Sequence, residues 1–89
     1  MIEEGVEIAV IGGGRSNRVI AIGASIVGGW RNLADGDSSY SAIGGGAFHV
    51  ADGQYATIPG GENNFATANA FAAGRQAKAN HSGAFVWGD

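Results

Sequence analysis

The chain has 89 residues, no cysteine and a formal net charge of −3 at pH 7, with 17 glycines and 15% charged residues. These values exclude a disulfide scaffold and a thiolate zinc site, and five Lys and Arg residues are too few for a nucleic-acid interface. The hydrophobic residues, 45% of the chain and mostly Ala, Ile and Val, favour an all-β fold.

An internal repeat of about 14 residues begins near Ala9 and continues to the end of the chain. Its units start near residues 9, 24, 41, 56, 69 and 83, and residues 83–89 form a closing segment of one domain, 1–89. Each unit reads small, any, apolar, any, glycine, and such a repeat predicts a stacked solenoid with parallel strands. The apolar positions form a predicted core column: Ile11, Ile26, Ile43, Ile58, Phe71 and Phe85.

Glycines follow each apolar position by two or three residues, and they admit two interpretations. A phosphate-binding loop would need G-x-G-x-x-G or a following G-K-[ST], and neither pattern is present. Glycine also accepts positive φ and lets neighbouring backbones approach closely, so we interpret these residues as corners between stacked turns. The predicted corners are Gly13, Gly14, Gly28, Gly29, Gly45, Gly46, Gly60, Gly61 and Gly74.

A second column stands six residues after the apolar one and is mostly asparagine. An alanine-rich column follows two residues later, so its spacing of eight from the apolar column is constant along the chain. Differences in length then fall in one loop of each unit, as expected when every turn of a solenoid buries the same positions. We therefore expect two strands per turn around a thin interior. The second column is Asn17, Asn32, His49, Asn64 and Ala77.

The two histidines and an acidic loop are the candidates for chemistry. His49 stands in the asparagine column, which favours a turn hydrogen bond, and His81 lies in a surface loop without a second ligand at metal spacing. Asp35 and Asp37 alternate as calcium ligands do, but the EF-hand pattern stops after its second ligand, which favours a solvated turn. The sequence therefore predicts no catalytic residue, no metal site and no cofactor.

Aromatic and arginine side chains follow the glycine corners of two successive units. Trp30 and Arg31 in one unit and Phe48 in the next stand at equivalent or adjacent places in the repeat. Exposed aromatic and arginine side chains on neighbouring turns are typical of surfaces that bind partners. We interpret these three residues as a candidate binding surface, the alternative being that they pack between chains of an oligomer.

The last two units carry aromatic residues where the earlier ones carry isoleucine. The end repeats of a solenoid are usually atypical, because they cap its core. Phe71, Phe85 and Trp87 therefore predict a wider, aromatic-filled coil that closes the roll.

The units SYSAIGGGAFHVADG, QYATIPGGENNFATAN and AFAAGRQAKANHSGAFVWGD resemble the YadA-like head repeats of trimeric autotransporter adhesins, which also occur in phage tail-fibre-like surface proteins. The resemblance covers nearly the whole chain from about Ala9. It departs from the family pattern at His49 and Ala77, which stand where the column otherwise has asparagine.

The resemblance implies a left-handed parallel β-roll that assembles as a homotrimer and serves in cell adhesion. Its partners would be copies of itself and a host matrix protein or surface glycan, at the cell surface or outside the cell. The opening residues show no signal peptide, and no apolar run approaches the roughly 20 residues of a membrane span, so we expect no membrane contact by this segment.

Two alternatives share the solenoid shape. A left-handed β-helix acyltransferase steps by six residues with an aliphatic side chain at each step, whereas the residue six positions after each of the four isoleucines is asparagine or histidine. The sequence therefore favours a non-enzymatic module. A purely structural tail-fibre segment is the other alternative.

Overall fold

The computed structural model describes residues 9–35 and 39–88. Their regular structure is entirely β-strand with parallel pairing, and the strands wind into about five turns of a β-solenoid. Asp37 of the acidic loop, residues 1–8 and Asp89 lie outside the described residues. Within the described part, no helix is long and apolar enough to cross a membrane.

Two parallel sheets form the walls of the solenoid, and each turn contributes a short strand to both. The first sheet comprises, in hydrogen-bonded order, β1 (Val10–Ile11), β3 (Ser25–Ile26), β5 (Ala42–Ile43), β7 (Thr57–Ile58), β10 (Phe71–Arg75) and β12 (Phe85–Gly88), and β8 (Gly61–Glu62) also pairs with β10. The second comprises β2 (Arg18–Val19), β4 (Leu33–Ala34), β6 (Val50–Ala51), β9 (Phe65–Ala66) and β11 (Lys78–Ala79).

The core between the sheets is narrow because one wall is almost entirely alanine. Successive side chains of a strand point to opposite faces, so one residue of each two-residue strand faces inward. Ile26, Ile43 and Ile58 are completely buried on the first sheet. Alanine lets the opposite wall come close, and the Cα atoms accordingly span 34 × 23 × 12 Å. The inward residues of the second sheet are Val19, Ala34, Ala51, Ala66 and Ala79.

The predicted core column is wrong in the last two turns. Phe71 pairs with Thr57, not with Ile58, and Phe85 pairs with Phe71. Because neighbouring residues of a strand face opposite sides, this shift of one residue puts both phenylalanine side chains on the outside. Phe85 is 71% exposed, and the two rings stack with their centroids 4.6 Å apart.

Smaller residues take the inward positions that phenylalanine was expected to fill. Ala72 follows Ile58 in the core and is completely buried, and Val86 packs against the core one turn later. The expected wide, aromatic-filled closing coil is therefore wrong as well, since Trp87 is 70% exposed. The physical reason is space: the opposite wall is alanine, and a phenylalanine ring facing inward would force the two sheets apart.

The constant spacing of eight also fails in the fifth turn, where seven residues separate Ala72 from Ala79. The pairs Thr57 with Phe71 and Gly61 with Gly74 show that the fifth turn passes the corner with one residue fewer. That turn does so as one continuous strand, β10, whereas the fourth is broken into β7 and β8. Residues paired on neighbouring turns are between 13 and 17 positions apart in the chain.

Candidate binding surface

An asparagine ladder, with His49 in the place of one asparagine, runs through the corners of the first four turns and fixes the backbone beneath the surface. The side-chain Oδ1 of Asn32 accepts a hydrogen bond from the backbone N–H of His49 at 3.0 Å, one turn further on. Its Nδ2 donates to the carbonyl oxygens of Gly28, at 3.0 Å, and Gly46, at 3.1 Å. Asn17 and Asn64 make the same three kinds of bond. Each asparagine thus ties its own corner to the next one.

Only the second glycine of each corner pair is required by the packing. Gly29 and Gly46 have φ values of 96° and 87°, and a Cβ atom on Gly29 would lie 2.1 Å from the carbonyl oxygen of Gly46. No side chain fits such a contact, whereas a Cβ atom on Gly28 would meet nothing within 4 Å. The predicted corners therefore fall into two groups. The close contact is shared by Gly14, Gly29, Gly46, Gly61 and Gly74, and open space surrounds Gly13, Gly28, Gly45 and Gly60.

His49 takes part in the ladder as a substitute for asparagine. Its backbone N–H donates to Asn32, and its Nδ1 accepts a hydrogen bond from the backbone N–H of Asn64 at 3.2 Å. The side chain is completely buried, and Nε2 is directed towards the carbonyls of Gly45 and Gly61 without making a hydrogen bond of good geometry. Burial lowers the pKa of His49 below its ordinary value of 6.5, because the charged ring is poorly solvated there. A neutral His49 with its proton on Nε2 is the form that fits.

A third ladder of parallel bridges lies just after the glycine corners and carries the candidate surface. Trp30 pairs with Arg15 on the preceding turn and with Ala47 on the following one, and Ala47 pairs with Glu62. Side chains in one such column are neighbours along the stack, about 4.8 Å apart at the backbone. The residue after each ladder position has positive φ, and it is Arg31, with φ 55°, in the second turn.

The structure brings the three predicted binding residues together. The rings of Trp30 and Phe48 are 5.0 Å apart between centroids and tilted by 60°, and the guanidinium carbon of Arg31 lies 5.6 Å from the Trp30 centroid. Trp30 is 45% exposed and Phe48 36% exposed. This arrangement offers an apolar surface beside a cation on a backbone that the asparagine ladder holds rigid. We call Arg15, Trp30, Arg31 and Phe48 the Trp30 corner.

Two features of the surface were missed by the sequence reasoning. Arg15 joins the Trp30 corner, and its position four residues after Ile11, like that of Trp30 after Ile26, was the available signal. On the opposite side of the solenoid, the exposed rings of Tyr40 and Tyr55 stack 5.7 Å apart. Both have positive φ. In the sequence, each of these tyrosines directly precedes the small residue that opens a repeat unit, Ser41 or Ala56, and this equivalence could have revealed the pair.

The outer side of the first sheet forms an uncharged face. Up to the glycine corner, this side carries no charged side chain among the described residues; Glu62 and Arg75, at the ends of β8 and β10, belong to the same sheet but come after the corner. Near its C-terminal end a groove of about 330 Å³ lies beside Trp87, Pro59 and Ala73. The uncharged face consists of Val10, Ser25, Ala42, Thr57, Phe71 and Phe85, with Val27 and Trp87 beside them.

No group of three potential metal ligands occurs among the residues that the structure describes. His81 is exposed in its loop, Asp35 is half-buried at the end of β4, and the two residues are not brought together with His49. Glu62 and Arg75 form an exposed ion pair at 3.5 Å, a kind of contact that contributes little to stability.

Comparison with known proteins gave no match to a family model, to a curated protein or to a solved structure. The likeness to adhesin head repeats therefore rests on the residues that carry it.

Proposed function

We propose that the chain is a non-enzymatic adhesive module: a left-handed β-roll of about 14-residue repeats that assembles as a homotrimer and presents a binding surface to host or cell-surface ligands. The observation that supports this most directly is the Trp30 corner. Two aromatic rings and two arginines remain exposed there, on backbone held by the asparagine ladder. Rigid, exposed aromatic and arginine groups favour binding because little entropy is lost when a partner arrives.

The uncharged face supports association with copies of the same chain. A chain of 89 residues with a core mostly of alanine has little buried apolar surface of its own, and burying more by oligomerisation is the usual remedy. Phe85 and Trp87, at 71% and 70% exposure, are the largest apolar groups available on that face. Three copies meeting there would bury these rings and leave the charged corner outside. This assignment favours the binding interpretation of Trp30, Arg31 and Phe48 over packing between chains.

An acyltransferase of the left-handed β-helix type finds no support in the described residues. Such an enzyme needs a histidine accessible between subunits, whereas His49 is completely buried and committed to the ladder, and the exposed His81 lies in a loop outside the uncharged face. Asparagine and histidine in the ladder connect successive turns by hydrogen bonds, whereas in the acyltransferase fold an aliphatic column connects them by packing. A purely structural tail-fibre segment would share the trimer and differ only in binding no ligand.

The first experiment is the solution mass of the chain by light scattering across a size-exclusion peak. We expect about three times the 8.9 kDa of one chain, and Trp87→Glu, which places a charge on the uncharged face, should give a monomer. Trp30→Glu is the matched control and should remain trimeric. A monomeric wild type would overturn the homotrimer.

The second experiment tests adhesion, using the trimer and layers of cultured host cells. The double variant Trp30→Ala, Phe48→Ala should lose binding while keeping the wild-type mass, because it removes both rings of the corner and nothing from the core. A matched variant, Tyr40→Ala with Tyr55→Ala, removes two exposed rings elsewhere and should bind normally. Equal binding by all three proteins, or none by the wild type, would refute the adhesive role and leave the structural segment.

A further inference from the structure

We propose that the Trp30 corner binds an anionic pyranose, a sugar ring that carries a carboxylate or a sulfate, and that this is the ligand class of the module. The inference rests on the proposed adhesive function and goes one step further, to the chemistry of the ligand. Four side chains on three successive turns carry it, and three independent observations support it.

The first observation is that two arginines stand at backbone positions next to Trp30. Arg15 pairs in register with Trp30, and the backbone N–H of Arg31 donates to the carbonyl of Arg15 at 3.0 Å. The two arginines therefore stand on neighbouring turns, Arg15 beside Trp30 in the ladder and Arg31 directly after Trp30 in the chain. Guanidinium groups bind carboxylate and sulfate oxygens through paired N–H donors, and two of them can hold one anion from two sides.

The second observation is that this charge is not compensated. Among the described residues, no carboxylate lies within ion-pair distance of Arg15 or Arg31. The acidic member of the same ladder is Glu62, two turns beyond Trp30, and it pairs with Arg75 at 3.5 Å. One end of the ladder therefore carries two positive charges while the other end is neutral. An anionic ligand is complementary to the first end only.

The third observation is the backbone conformation of the residues that form the corner. Arg31 and Phe48 have φ values of 55° and 60°, a region that is unfavourable for large side chains. Equivalent positions in other turns hold Ser16, Asn63 and Gln76, and of these asparagine is well suited to positive φ. Arg31 is exposed and Phe48 keeps 36% of its surface exposed, so neither side chain is fully buried in return. A strained, exposed pair of this kind indicates selection for what the side chains can bind.

The size and shape of the corner match a sugar ring better than a protein. A stable protein interface needs roughly 800 Å² on each partner, far more than four side chains provide. The apolar C–H groups of a pyranose pack against the electron-rich face of an aromatic ring, and Trp30 and Phe48 offer two tilted rings for this contact. A single corner would bind weakly. Three corners on one trimer would bind a surface coated with such sugars by avidity.

The test uses the full chain as a trimer and polymers that carry many copies of one sugar. Probes are polyacrylamide bearing N-acetylneuraminic acid, glucuronic acid, 6-sulfated N-acetylglucosamine or neutral lactose, measured by surface interferometry. We expect binding to at least one anionic polymer, at least tenfold tighter than to the lactose polymer, and weaker in 500 mM than in 50 mM NaCl. The three anionic probes distinguish a carboxylate from a sulfate.

Matched arginine variants separate a specific site from net charge. Arg15→Gln with Arg31→Gln should weaken binding at least tenfold, and Arg31→Lys, which keeps the charge and loses the planar fork, should weaken it several-fold. Arg75→Gln removes an arginine from the other end of the same ladder and should bind as the wild type does. Equal losses with Arg75→Gln and with the Arg15→Gln, Arg31→Gln double variant would overturn the site.

The outcomes also separate this inference from the proposed function. Cell adhesion that depends on Trp30 and Phe48, with no preference for any anionic polymer, would overturn the ligand class and keep the adhesive module. Binding of that kind would point to a protein partner. Absence of binding to both cells and polymers by an intact trimer would overturn both.

Discussion

Replacing His49 with asparagine should stabilise the protein, because asparagine completes the ladder that His49 leaves incomplete. A Cβ atom on Gly46 would lie 2.7 Å from His49 Nε2, and one on Gly29 would lie 2.8 Å from Asn32 Nδ2, so the two nitrogens occupy equivalent places. In His49→Asn, Nδ2 would donate to the carbonyls of Gly45 and Gly61, and Oδ1 would replace Nδ1 as acceptor. A buried polar group without a partner costs about 1–3 kcal/mol, so we expect a gain of about 1–2 kcal/mol at pH 7.5.

The gain should grow as the pH falls. Burial places the pKa of folded His49 below 6.5, so between that lowered pKa and 6.5 the unfolded chain binds a proton that the folded chain does not. The titration of His49 therefore leaves the free energy of unfolding unchanged above pH 6.5, and it decreases that free energy as the pH falls from 6.5 towards the pKa of the folded state. His49→Asn has no such group and should lose less stability between pH 7.5 and 5.

The assay is thermal unfolding followed by circular dichroism at fixed protein concentration, from pH 5 to 7.5. Each kcal/mol shifts the midpoint of a domain this size by roughly 4–8 °C. His81→Asn is the matched control, since it removes the exposed histidine and should leave the difference between pH 5 and 7.5 unchanged. A lower midpoint for His49→Asn at pH 7.5, or the same pH dependence as the wild type, would refute this account of the ladder.

Three further predictions concern stability and use the same unfolding assay. Gly46→Ala should destabilise the fold by about 3 kcal/mol or more or prevent folding, because its Cβ atom would overlap a neighbouring carbonyl at positive φ; Gly28→Ala, with open space, should change stability by at most about 1 kcal/mol, in the stabilising direction, and similar losses in both would contradict the corner geometry. Ala72→Phe should unfold the chain, whereas Phe85→Ala, compared in the monomeric Trp87→Glu background, should cost only about 0.5–1.5 kcal/mol for its stacked ring; the reverse order would restore Phe85 to the core. Asn32→Ala should lose about 2–4 kcal/mol, since it leaves the buried N–H of His49 and the carbonyl of Gly28 without this partner and removes one of the two hydrogen bonds to the carbonyl of Gly46, and a loss below about 1 kcal/mol would show that the ladder contributes little.

The repeat itself was readable from the sequence, and with it the all-β solenoid. Glycine after each apolar position and asparagine at a constant distance recur because each turn meets the same backbone contacts in its neighbours. His49 could be assigned to the ladder for the same reason: it occupies the asparagine position, and its Nδ1 can accept the same hydrogen bond. Spacing along the chain is enough to assign a residue when every turn makes the same contact and one residue type satisfies it.

Tertiary structure alone decided which residues face inward where the spacing changes. Hydrophobicity favours Phe71 and Phe85 for the core, but a corner one residue shorter shifts the register and leaves Ala72 and Val86 facing the alanine wall. The period of a strand is two, so one missing residue reverses inside and outside, and no property of the single residues reveals it. The Trp30 corner depends on register in the same way, because Arg15 and Trp30 are fifteen residues apart in the chain and adjacent only in the stack.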